Sequence, residues 1–129
     1  MLLANKNVID KHFLDNWHST AIAFDMENFT MPSTKKWVSV QLIVYDRELI
    51  GIAPQHGRKL DWGLIRVRCY DTSVTKSYLL ANEIQNFLEC TTLADGSMVD
   101  LGIADAESGV PLDNGVFETT LNFVIKKYN

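Results

Sequence analysis

Between Trp37 and Arg47 the chain alternates with a period of two. Val38, Val40, Leu42 and Val44 fall on one side of an extended backbone, and Trp37, Ser39, Gln41, Ile43 and Tyr45 on the other. A wholly aliphatic side of this kind is expected to lie against a core. The same alternation runs through Trp62 to Tyr70, where Ile65, Val67 and Cys69 oppose Leu64, Arg66, Arg68 and Tyr70. It returns in the closing stretch, where Phe117, Thr119, Leu121, Phe123 and Ile125 form the more apolar side of a long strand. Leu49 to Ala53 reads as a separate short strand, followed by a polar loop from Pro54 to Asp61. Ser97 to Ile103 reads as a weaker strand. Thr20 to Phe24 is short, apolar and partly β-branched, and the polar run Glu27 to Lys36, with Pro32, is expected to be a connecting loop.

Two stretches carry the helical period instead. Leu3, Val8, Ile9, Phe13, Leu14 and Trp17 recur at helical spacing from Leu2 to Trp17. Leu80, Ala81, Ile84, Phe87 and Leu88 do the same after Asp71, Thr72 and Ser73, three residues suited to capping a helix start, and this helix is expected to end near Cys90. Ser108 to Gly115 has a loop composition, with Asn114-Gly115 favouring a tight turn. The order of helix, strands, helix, strands, with hairpin-like spacing, predicts one α+β domain over residues 1–129: a mixed, mainly antiparallel sheet with two helices packed on one face. The other face, bearing Trp37, Ile43, Tyr45, Leu64 and Tyr70, is left without a helix to cover it, and aromatics held at a surface suit an interface.

At 129 residues, 47% hydrophobic and 22% charged, the chain can build one core and is not a disordered segment. The longest uncharged apolar stretch, Trp37 to Tyr45, is broken by Ser39 and Gln41 and falls short of the roughly 20 residues that span a bilayer. The first residues lack the pattern of a secretory leader, which leads to an expectation of folding in the cytoplasm. A net charge of −4 gives no electrostatic reason for binding nucleic acid. Cys69 and Cys90 are expected to be buried, reduced thiols.

Candidate chemistry is sparse. His12, His18 and His56 have no partner at zinc-site spacing, and no phosphate loop or nucleophile elbow occurs. Asp95, Asp100, Asp105, Glu107 and Asp113 do not follow a calcium-loop spacing and read as a solvated rim. No catalytic, metal or cofactor-binding residue is therefore assigned. Arg58 and Lys59, in the loop Gln55 to Asp61, mark either a docking loop or a solvated hairpin end. Arg66 and Arg68 share a strand face and either meet carboxylates of a neighbouring subunit or face solvent.

Three segments carry a family likeness. Phe13-Leu14-Asp15-Asn16-Trp17 leads through Thr20-Ala21-Ile22-Ala23-Phe24 and Glu27-Asn28-Phe29 to the strand opening Trp37-Val38. Trp62-Gly63-Leu64-Ile65-Arg66-Val67 precedes a helix with Leu79-Leu80-Ala81-Asn82-Glu83-Ile84, and the closing strand runs from Gly115 through Phe123. In this succession the chain resembles the tail terminator, or tail-completion, proteins of long-tailed bacteriophages and prophages. It departs from them at Asp71-Thr72-Ser73, where relatives often carry glycine.

The resemblance implies a structural subunit of a ring, commonly hexameric, that caps the tail tube and meets the head connector. Its partners would be copies of itself, the tube protein and the connector protein, first in the host cytoplasm and then in the virion tail. No catalytic residue is carried over. The surface expected to serve such assembly comprises Phe13, Trp17, Trp37, Tyr45, Arg58, Lys59, Trp62, Arg66 and Arg68. Two other readings remain open: a different neck, head-tail joining or minor tail protein, and a small enzyme or ligand-binding domain using His18 or His56 as acid or base.

Overall fold

A computed structural model describes residues 2–25, 29–51 and 58–128, with side chains described outside 2–5 and 44–59. The elements follow in the order α1 (Leu2–Asn16), β1 (Ala21–Phe24), β2 (Trp37–Gly51), β3 (Arg58–Asp71), α2 (Val74–Leu88), β4 (Met98–Ala104), β5 (Val110–Pro111) and β6 (Phe117–Tyr128). The six strands form one sheet of order β1-β2-β3-β6-β4, with β5 paired to the start of β6. Only β1 and β2 run parallel; the other pairings are antiparallel, so the fold is α+β as expected.

Register explains which residues share a side. Val38 lies opposite Cys69, Val40 opposite Val67, Val67 opposite Leu121, and Ile65 opposite Phe123. These residues form a single apolar row across three strands, and every one of them is buried. Ile9, Phe13 and Trp17 from α1, with Leu80, Ala81, Ile84 and Leu88 from α2, pack on that row as one core. Both helices therefore cover the same face of the sheet.

Helix α2 starts where its capping residues predicted: the Ser73 hydroxyl accepts the Lys76 backbone N–H at 3.1 Å. It ends at Leu88, and Cys90, two residues on, adopts the left-handed conformation (φ 57°) that turns the chain back. The Asn114-Gly115 turn also forms, with both residues left-handed (φ 65° and 71°) and the Leu112 N–H bonded to the Val116 carbonyl. Gly102 allows β4 to cross the core closely, because a Cβ there would lie 2.4 Å from the Phe123 ring.

Two expectations are corrected. Leu49 does not begin a separate strand: β2 runs unbroken to Gly51, and the stretch Pro54 to Asp61 is not all loop, since β3 starts at Arg58. Asp46, Arg47 and Glu48 lack apolar alternation, yet their backbones stay paired with Trp62, Asp61 and Leu60, because a ladder needs amide groups and not apolar side chains. Residues 52–57 lie outside the described part of the chain. The ladder between β2 and β3 also slips near the middle of β2. A register shift after Leu42 pairs Val44 with Leu64, one place out of phase with the Leu42–Ile65 pair.

Candidate assembly surface

The sheet face turned away from the helices divides into a closed end and an open end. At the closed end Trp37 and Tyr70, cross-strand neighbours, stack with ring centroids 3.9 Å apart and planes 13° apart. Phe29, at 4.7 Å from Trp37, joins Ala23 and Val116 in closing over them, so Trp37 and Tyr70 keep only 7% and 5% of their surface. The Lys35 ammonium donates to the Asn114 carbonyl at 2.8 Å and ties together the two loops that make this roof. Ser39 and Thr120, one row further in, are also buried. Burial pushes the Tyr70 phenol upward, and its hydrogen bond to Glu118 adds to that.

Toward the open end a polar network crosses the strands. Arg68 donates through Nη1 to Gln41 Oε1 at 2.7 Å. Arg66 Nε donates to Asn122 Oδ1 at 3.0 Å, and the Asn122 amide donates in turn to Asp105 at 2.6 Å. Both guanidinium groups are half-buried, and neither has a carboxylate at ion-pair distance among the described residues. Beyond them, Trp62, Leu64 and Val124 are half-buried and Ile43 is exposed, which leaves a mixed face of apolar side chains around two arginines.

The surface expected from sequence is thus brought together only in part. Trp62, Arg66 and Arg68 share the open face. Phe13 and Trp17 do not belong to a surface: Phe13 is fully buried, and both rings pack on Phe87 at 5.0 and 5.2 Å. Their helix turns its aromatic stripe inward because that is its largest apolar payload, and the Trp17 indole satisfies its N–H on the Thr20 hydroxyl at 3.0 Å. Trp37 is likewise an interior residue. The side chains of Tyr45, Arg58 and Lys59 lie outside the described residues.

Of the cysteines, Cys69 is buried as expected, and burial raises its thiol to about 12, so it is held as the unreactive acid form. Cys90 is exposed, contrary to expectation, because it lies just past the last turn of α2. His12 stacks on Phe87 at 4.9 Å; its Nδ1 faces the Asn16 amide and its buried Nε2 has no hydrogen-bond partner among the described residues. Desolvation lowers its pKa, and nearby Asp15 offsets this only in part. Among the described residues no group of three or more metal-ligating side chains converges. No described helix is long and apolar enough to cross a membrane.

Two clefts flank α2. One, of about 380 Å³, includes Thr34, Lys36, Thr72, Lys76 and Leu79 in its lining. The other, of about 330 Å³, opens beside Tyr78, Asn82, Gln85 and Ala104. No protein-family model and no curated protein matches this chain.

The Gln41 and Asn122 partners of the two arginines, and the Asp105 carboxylate that binds Asn122, were not foreseen. The i, i+2 spacing of Arg66 and Arg68 marked their shared face, but partners on β2 and β6 follow from register, which local periodicity does not contain.

Proposed function

We propose that the chain is a structural assembly subunit that forms a closed homo-oligomeric ring, in the manner of the phage tail terminators it resembles. The ring would cap the tail tube and present its other side to the head connector, placing the protein in the host cytoplasm during assembly and in the virion tail afterwards. The observation that carries this reading is the open end of the sheet. Trp62, Leu64, Val124 and Ile43 surround two arginines that have no acidic partner within the described chain, although the protein as a whole is acidic. Arginine among half-buried apolar groups is the composition of a protein interface.

A ring built from one chain repeats a single heterologous contact and needs two different complementary patches on each subunit. Burying about 800 Å² on each partner, typical of a stable contact, would shelter that face. The test is mass in solution: light scattering on the eluting protein, followed by negative-stain imaging, is expected to show a multi-subunit species with a central opening. A compact monomer at high concentration would refute the assembly role.

A further inference from the structure

The charges are segregated along the chain. Ser77 to Ile125 carries eight carboxylates and no lysine or arginine, whereas Met1 to Lys76 carries ten lysines and arginines against eight carboxylates. The strand order turns this into a lateral separation, with β6, β4 and their turns on one flank of the sheet and β1 and β2 on the other.

On the acidic flank Lys126 offsets Asp100 at 3.1 Å and Lys127 lies 3.9 Å from Asp95. Asp105 and Glu107 are exposed and have no cation at ion-pair distance among the described residues. Near them Leu101 and Ile103 are 63% and 70% exposed, so this flank offers apolar area as well as charge. On the other flank Lys6 is neutralised by Asp10 and Asp25, and Lys11 by Asp15. Among the described residues Lys36 and Lys76 have no carboxylate at ion-pair distance, and both line the 380 Å³ cleft between the loop before β2 and α2. Asp71 and Glu83 also line that cleft: the Asp71 carboxylate is buried and accepts the Thr72 backbone N–H at 2.7 Å, whereas Glu83 on α2 is exposed and sets one negative charge beside the two lysines.

We infer that these flanks pair head to tail between copies of the chain: Ile103, Asp105 and Glu107 of one subunit seat against the Lys36–Lys76 cleft of the next. This rests on the ring reading and names the charged part of its repeated contact. A twofold pairing of β4 flanks would set carboxylates against carboxylates. Strand addition at β4 is also obstructed, since the Glu89 carboxylate accepts the Gly102 N–H at 2.9 Å and Thr92 bridges to Met98. The contact is therefore made by side chains, and because the two patches differ it is heterologous, the kind that a closed ring repeats.

Self-association of the full chain by sedimentation equilibrium, at low and high salt, tests the pairing. The wild-type chain should associate and weaken as salt rises. Glu107→Lys and Lys36→Glu should each weaken association about tenfold or more, and an equimolar mixture of the two variants should restore it, because every contact between unlike variants is either native or charge-swapped. Should a reversal disturb folding, Glu107→Gln and Lys36→Gln replace it, with a smaller loss expected. A wild-type chain that associates while reversals and neutral variants change nothing would overturn this pairing and leave the ring reading standing. A wild-type chain that stays monomeric at about 1 mM, a concentration at which contacts worth about 4 kcal/mol are half formed, would overturn both.

Discussion

Trp37 lies out of phase with the row formed by Val38 and Val40, so it belongs to the sheet face away from the helices, where an indole invites assignment to an interface. Its neighbours decide otherwise. Tyr70 stacks beneath it, and Phe29, Ala23 and Val116 complete the enclosure. Its side of the sheet could be read from the alternation, but its cover could not, because Phe29 and Val116 arrive from loops far apart in the chain. Trp37→Ala should therefore cost about 3–5 kcal/mol of folding stability, the range for deleting a buried large aromatic. Urea unfolding monitored by circular dichroism measures this. A variant as stable as the parent but impaired only in association would return Trp37 to the surface.

The two helices were legible in outline because each carries an uninterrupted period and α2 a capping residue, Ser73, that behaves as its chemistry suggests. How they meet was not legible. The Phe87 ring gathers Phe13, Trp17 and His12 around it, joining α1 to α2 over the sheet. His12 pays a desolvation cost in that position, and its Nε2 has no hydrogen-bond partner among the described residues. The unfolded chain therefore binds a proton at this site more readily than the folded one. Stability should rise with pH through the ordinary histidine range, and be lost as pH falls below about 6.5. His12→Phe keeps an aromatic ring on Phe87 without a titrating group. The loss of stability between pH 7.5 and 5.5, read from denaturant midpoints, should be smaller in this variant than in the parent. An equal loss in both would remove His12 from the account.

At the scale of the molecule, fold class and the division of the sheet into a helix-covered face and a bare one were readable, since both follow from local period and from counting helices. Strand order, the bulge after Leu42 and the roof over Trp37 were not, because they are set by contacts between distant segments. The bare face is consequently smaller than alternation alone suggests, and its open end is where assembly should be sensitive. Leu64 lies within that end, half-buried, paired through the backbone with Val124 on one side and Val44 on the other. A carboxylate there meets solvent in the isolated subunit but would be desolvated beneath a partner. Leu64→Asp should therefore leave the far-UV circular dichroism close to that of the parent. It should weaken self-association about tenfold or more, a change of about 1.4 kcal/mol per contact. Sedimentation equilibrium with parallel circular dichroism separates the alternatives. Unaltered association would remove the open face from the ring contact and leave the acidic and lysine-bearing flanks to carry it, whereas a collapsed spectrum would show that Leu64 supports the fold itself.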